Sequence, residues 1–246
     1  MIKDSSTECW NQVEIDEWIN KAQKNDFRMY YIMPYTLEKL GEIKGKYILD
    51  LGCGEGGYSR ALARKGAVIT SADCSKVMID YAEKKATEEG LTIRHIVVNA
   101  NQLNNIPDNY FDIVLCSMML MDVEDMDGTL QEIHRILKPK GTVFISILHP
   151  CFKGKETKWI KDSGSIEVLV SDYHNPREWV GEIKGMSAPI LYRHRTLSDY
   201  VKSFVKNGFR IIDMNEPIPT EEQSRMSSRV AWLEKIPMYL FIELQK

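Results

Sequence analysis

The segment Ile48–Tyr58, ILDLGCGEGGY, constrains the fold more than any other: an apolar run ends in a glycine loop, and a helical pattern follows. Gly52, Gly54 and Gly57 keep the spacing G-x-G-x-x-G where the chain passes from strand to helix. Such a turn lets backbone groups approach a nucleoside cofactor, and dinucleotide-binding proteins use the same spacing. The flanking charges discriminate further. Asp50 precedes the loop, Glu55 sits within it, and no lysine or arginine occurs from Tyr47 to Ser59. A pyrophosphate calls for donors or cations at that point. A cofactor bearing a sulfonium and an ammonium suits an acidic loop better.

Strands and helices alternate around this loop. Tyr47–Leu51 reads as a strand and Tyr58–Lys65 as the helix after it. Ala67–Ala72 is the next strand, and Ser75 is placed to cap a helix over Lys76–Glu89 that Gly90 closes. Ile93–Val98, Phe111–Cys116 and Gly141–Leu148 read as further strands, with a helix over Asp127–Leu137 stopped by Lys138-Pro139. This order implies βαβ crossovers and a parallel, doubly wound α/β sheet. Upstream, Trp10–Lys24 and Tyr30–Leu40 have helical spacing. Downstream of His149-Pro150 the periodicity stops, to resume with a helix over Leu197–Asn207, a strand over Phe209–Met214, a short helix within Glu216–Lys235 and a last strand over Met238–Leu244. The 246 residues divide as one domain: a helical cap (1–45), a cofactor-binding core (46–150), a substrate or lid insert (151–195) and the C-terminal part of the sheet (196–246).

Composition narrows the function. Lys and Arg number 32 against 35 Asp and Glu, a net charge of -3, which gives no electrostatic footprint for nucleic acid and no polybasic membrane patch. The N-terminus lacks a signal-peptide pattern, and no window approaches ~20 uninterrupted apolar residues. Five dispersed cysteines without a C-x-x-C pair form neither a disulfide framework nor a zinc pattern. The expectation is a cytoplasmic protein, monomer or homodimer, without a metal.

Further candidates lie at the strand ends. Asp73 ends the second strand, where an ionised carboxylate can accept both hydroxyls of a ribose. Asn99 and Asn101 offer amides to an adenine edge at the end of the third. Ser117 and Met118 open a methionine-rich run after the fourth, in which Met118, Met119 and Met121 supply flexible, polarisable apolar surface. Cys53, Cys74 and Met78 complete the cofactor-binding set, the cysteines as small loop residues rather than nucleophiles.

Together these stretches resemble class I S-adenosylmethionine-dependent methyltransferases. ILDLGCGEGGYSRALARKGA is similar to their first motif and SADCSKVMIDYAEKKA to their second; FDIVLCSMMLMDVED and LQEIHRILKPKGTVFISILHP are similar to the fourth- and fifth-strand motifs. HPCF, DYHNP and YRHRTLSDYVKSFVKNGFRIIDMNEP resemble a bacterial branch with small-molecule or unassigned substrates. The resemblance implies a Rossmann-like seven-stranded sheet with the last strand antiparallel. It also implies S-adenosyl-L-methionine as cofactor, leaving as S-adenosyl-L-homocysteine. Asp50, Gly52 and Gly54 would surround its methionyl part, Asp73 its ribose, and Asn101 with Gln102 its adenine. Where the family often has an aspartate near adenine, this chain has Asn99 and Asn101.

Transfer of a methyl group from a sulfonium is an in-line displacement, so positioning carries much of the rate. A hydroxyl or protonated amine acceptor adds the need for a base. His149, at the fifth strand's end, is a candidate for that role, with His174 and Tyr173 in the insert. Trp179, Tyr192, His194 and Arg195 are the candidate acceptor contacts. No Asn-Pro-Pro-Tyr-type motif follows the fourth strand, which with the charge balance points to a small-molecule acceptor on an O, N or C atom. The competing readings are a NAD-dependent oxidoreductase on the same fold and a cofactor-binding module without turnover.

Overall fold

The computed structural model describes residues 5–162, 164–182 and 186–246; residues 1–4 of the expected cap and 163 and 183–185 of the expected insert lie outside them. The N-terminal segment forms α1 (Ser5–Asn11), α2 (Ile15–Gln23), a π-helical turn (Arg28–Ile32) and α3 (Met33–Lys39). The helix expected over Trp10–Lys24 is thus two helices. The chain turns between them so that Val13 can join a cluster with Met78, Ala188 and Ile190. The π turn has a local cause: Pro34 lacks an N–H and its ring crowds the preceding turn, so the helix widens just before it.

The alternation then runs as read: β1 (Tyr47–Leu51), α4 (Gly57–Arg64), β2 (Val68–Asp73), α5 (Lys76–Glu88), β3 (Arg94–Val97), β4 (Phe111–Ser117), α6 (Met126–Ile136) and β5 (Leu137–Leu148). Ser75 occupies the N-cap position of α5, yet its hydroxyl makes no capping bond. The insert, in which the sequence shows no periodic element, holds two hairpins, β6 (Lys158–Asp162) with β7 (Ser165–Leu169) and β8 (Arg177–Gly181) with β9 (Ile190–His194). Then come α7 (Leu197–Lys206), β10 (Arg210–Asn215), α8 (Glu221–Met226), α9 (Ser228–Ala231) and β11 (Tyr239–Gln245). A reciprocal capping box, Thr196 with Asp199, starts α7.

The main sheet has seven strands in the order β10-β11-β5-β4-β1-β2-β3. β1 pairs in parallel with β2 and β4, and β4 with β5, whereas β11 runs antiparallel between β5 and β10. The last strand in sequence is therefore antiparallel, as expected, and lies inside the sheet. Successive residues of a strand face opposite sides. Leu49, Val114 and Ile145 enter the core that α6 and α7 cover; Ile48, Ile113 and Phe144 enter the one that α3 and α4 cover. Both faces are buried, which is why the central strands read as apolar runs without alternation.

Candidate functional site

A cavity of about 440 Å³ lies outside the carboxyl ends of β1 to β5, where ligands of open α/β sheets bind. Its floor is the glycine loop. Gly52, with φ of 72°, turns the chain beneath Met119: a Cβ added to Gly52 would lie 2.5 Å from Met119 Cβ. Met118 has φ of 58° and folds the loop after β4 back over Gly52. A non-glycine residue held in this region costs on the order of 1–3 kcal/mol and is kept where the surroundings over-determine it. The N-terminal helices form the roof: Ser6, Thr7 and Trp10 of α1 and Trp18, Lys21 and Ala22 of α2 line the cavity, and Ile190 and Tyr192 of β9 close one side.

Behind the loop, Asp50 is buried and accepts a 2.5 Å hydrogen bond from Ser59, which in turn accepts from Ser71. Burial pushes the Asp50 carboxyl up to about 6, against the Ser59 bond and the Arg28 charge. Asp73 accepts from the N–H groups of Gly54 and Ser75, each at 2.9 Å, and burial still holds its carboxyl above the ordinary value.

Glu55 corrects the charge argument made from the sequence. Its carboxylate pairs with Arg28 at 2.5 Å and Arg60 at 2.8 Å, and its side chain is only 2 % exposed. Burial alone would raise the Glu55 carboxyl; the two guanidiniums outweigh it and hold the group below its ordinary value. The cations come from the π turn and from one residue past the stretch free of lysine and arginine. Glu55 therefore gives no surplus negative charge with which to choose between cofactors. Gly57, the third glycine of the motif, makes room for this pair: a Cβ there would overlap Arg28 Nη2 and Glu55 Oε1.

Asp50, Gly52, Cys53, Gly54, Asp73, Cys74, Met78, Asn99, Ser117 and Met118 all line the cavity. Asn101 and Gln102 do not; the Asn101 side chain turns to Asp125, with Nδ2 3.2 Å from its Oδ2. Asn99 donates to Thr7 Oγ1 at 3.1 Å, tying β3 to the roof.

The other candidates separate. Tyr192 lines the cavity and stacks on Trp179, with ring centroids 5.4 Å apart. Trp179, Tyr173 and His194 border a second, small cleft within the insert, where His194 Nε2 lies 2.7 Å from the Tyr173 carbonyl and Tyr173 Oη accepts from the Leu197 N–H. His174 borders neither and packs on Tyr173. Arg195 donates to the carbonyls of Val123 and Glu124.

His149 is buried and does not line the cavity, although it ends β5 as read. Its Nδ1 accepts from the Cys151 N–H at 3.1 Å, so Nε2 carries the hydrogen and donates to Glu216 Oε1 at 2.5 Å. Burial lowers its pKa, with Glu216 opposing. Nδ1 thus holds the turn that follows β5, and Nε2 joins that turn to the segment after β10. His149→Ala is expected to lower Tm by about 5 °C, since a buried hydrogen bond left half-made costs about 1–3 kcal/mol and each 1 kcal/mol shifts a chain of this size by about 2–4 °C. Calorimetric affinity for S-adenosylhomocysteine should stay within twofold; a tenfold loss would place His149 at the cofactor.

Arg28, Arg60 and Ser59, the roof residues of α1 and α2, and Asp122, which lines the cavity directly after the methionine run, are not among the site residues expected from the sequence. Only Asp122 leaves a local signal, an acid closing an apolar stretch at a strand end.

Residues 49–145 match the family described as a methyltransferase domain. An uncharacterized protein of Haemophilus influenzae is 28% identical over 241 residues, 94% of this chain and 93% of its own length. The ubiquinone biosynthesis O-methyltransferase of Coxiella burnetii is 33% identical over 140 residues, and that match spans 56% of this chain and 59% of the relative. Among solved structures, an S-adenosylmethionine-dependent methyltransferase from Mesorhizobium loti superposes with a TM-score of 0.75 at 24% identity, over 92% of this chain and 100% of its own. That likeness is one of fold.

Proposed function

We propose that this chain, which belongs to the class I S-adenosylmethionine-dependent methyltransferases, methylates a small molecule held in the roofed cavity. The carrying observation is that one cavity joins the glycine loop, Asp73 and Asn99 to Ile190 and Tyr192 of the insert. Its volume falls in the usual range for small-molecule sites. The residues present fit the cofactor. Gly52 and Gly54 line the cavity without side chains, Asp73 offers a carboxylate at the end of β2 for ribose hydroxyls, and Asn99 offers an amide for the adenine edge. Arg28, at the loop's far side, offers a guanidinium to the carboxylate of the methionyl part. S-adenosylmethionine supplies a methyl group on a positively charged sulfur, a good leaving group. The protein's share is to orient the acceptor in line and keep water out, which α1, α2 and β9 do by closing over the site.

Two alternatives fare worse. The dinucleotide fold in its usual form adds a sixth parallel strand, whereas here β11 runs antiparallel between β5 and β10. A module without turnover does not need Ile190 and Tyr192 of β9 in the same cavity as the glycine loop. The test is incubation with methyl-labelled S-adenosylmethionine and a metabolite extract. Label recovered in a small molecule is the expected result. Label in protein or nucleic acid alone, or thermal stabilisation by NAD and not by S-adenosylhomocysteine, would overturn it.

A further inference from the structure

Among the described residues, four carboxylates line the cavity: Asp50, Glu55, Asp73 and Asp122. Three are already engaged, Asp50 by Ser59, Glu55 by Arg28 and Arg60, and Asp73 by the N–H groups of Gly54 and Ser75. Asp122 differs. Among the described residues its carboxyl oxygens have no hydrogen-bond or ion-pair partner, while its backbone carbonyl accepts from Ser6 Oγ and from Arg193 Nη1 at 2.5 Å. Arg193 is otherwise engaged: Nε donates to Glu178 at 2.6 Å and Nη2 to Ser5 Oγ at 2.6 Å. Arg195 grips the neighbouring carbonyls of Val123 and Glu124, at 2.6 and 3.1 Å. Two guanidiniums from the end of the insert therefore hold the backbone of this loop and leave one carboxylate open to the cavity. The same loop is pinned on its other side, where Met119 packs against Gly52 and Met121 Sδ accepts from the Leu148 N–H at 3.3 Å.

We infer that Asp122 is the base of this site and that the acceptor's nucleophile is accordingly an O–H or N–H group, an inference that rests on the methyl transfer proposed above. In the step, a lone pair of the acceptor's oxygen or nitrogen forms the new bond to the methyl carbon. The sulfur–methyl bond breaks with its electron pair returning to sulfur, which neutralises the sulfonium. The proton that the acceptor sheds passes to an Asp122 oxygen and from there to water. Charge and atoms balance without any further reagent.

The surroundings suit this task. Burial pushes the Asp122 carboxyl up to about 7, against the pull of Arg193 and Arg195. Tyr192 of β9 and Tyr200 of α7 face it with phenols that burial raises, and Glu124 follows on its own loop. A base works best when its pKa lies near the working pH. Since Asp122 must be ionised to accept a proton, turnover should rise with pH through about 7 and level off above it.

Asp122→Asn keeps the shape and removes the basic oxygen. With methyl-labelled S-adenosylmethionine and a metabolite extract, the variant is expected to label the wild-type product at least ~100-fold more slowly, the usual scale of general-base catalysis. Its calorimetric affinity for S-adenosylhomocysteine should stay within twofold, and the rise through neutral pH should vanish. Asp122→Glu should recover part of the rate. Labelling by Asp122→Asn at the wild-type rate would overturn the inference, as would a product methylated on carbon or on a nitrogen that bore no hydrogen. If the wild-type protein binds S-adenosylhomocysteine yet labels no small molecule, the acceptor reading has failed rather than the base. The infrared carbonyl band that Asp122→Asn removes then decides: titration near neutral pH supports the base, and titration in the ordinary carboxylate range overturns it.

Discussion

Replacing Gly52 with alanine is expected to weaken S-adenosylhomocysteine binding by at least ~100-fold, about 2.8 kcal/mol, and to lower Tm at the same time. Two costs combine. The φ of 72° lies in the left-handed region, where a Cβ costs roughly 1–2 kcal/mol. The new Cβ would also stand 2.5 Å from Met119 Cβ and 2.8 Å from its Cγ. Those atoms lie at the root of the side chain, so no rotamer change relieves the contact. The backbone there is held on both sides, by the Met118 N–H on the Ser146 carbonyl and the Asp122 N–H on the Met119 carbonyl. Either the glycine loop or the loop after β4 must shift, and overpacking of this kind costs about 1–3 kcal/mol. Gly45→Ala is the control. Gly45 also has positive φ, 75°, with nothing within 4 Å of an added Cβ, so it should lose stability while keeping the cofactor. Equal affinity in Gly52→Ala and the wild type would show that the cofactor does not lie on this loop.

The central sheet was legible because β1, β4 and β5 bury both faces, and a run such as ILDL or FDIVLC needs no long-range information to be read as a buried strand. The glycine loop and Asp73 were legible for a related reason: strand, turn and helix follow one another within the chain, so spacing reports geometry. What lay outside the reading is what contacts across sequence supply. Arg28 reaches Glu55 across 27 residues, and Arg193 reaches Ser6 across 187; neither leaves a periodic trace. The charges at the loop are misleading in the sequence for this reason, since a window of sequence shows which charges adjoin and not which ones meet. The hairpins of the insert leave little trace because strands of five residues, which in β6, β8 and β9 mix charged and apolar residues on one face, are too short to establish a period of two. His149 was placed correctly at a strand end, but its direction depends on Cys151 and Glu216, and no local pattern carries that.

Glu55→Gln is expected to have the larger effect on stability, about 3 kcal/mol, and so a fall in Tm of about 6–12 °C. The substitution preserves shape and removes one charge from a group of three whose side chains are 2%, 18% and 10% exposed for Glu55, Arg28 and Arg60. Removing the anion leaves guanidiniums with little water to turn to, the situation in which breaking a buried pair costs about 3–5 kcal/mol. The low end applies, because Arg60 keeps the Glu55 carbonyl at 2.6 Å and Glu89 at 3.2 Å. The sign of the pH dependence follows from the direction of the shift. The folded state holds the Glu55 carboxyl below its ordinary value, so its stabilisation is fully present above the unfolded-state value, about 4.3, and is lost as pH falls through the folded one. Urea melts should therefore show a constant gap between wild type and Glu55→Gln from neutral pH down to about 5, narrowing below that. Asp50 and Asp73, whose carboxyls are raised, act in the opposite direction, but they are present in both proteins and cancel in the difference. A gap under 1 kcal/mol, or one that does not narrow in acid, would mean that the ion pair contributes no net stability. Arg28 would then be held at the loop for the cofactor's carboxylate alone, and Arg28→Ala would weaken S-adenosylhomocysteine binding without lowering Tm.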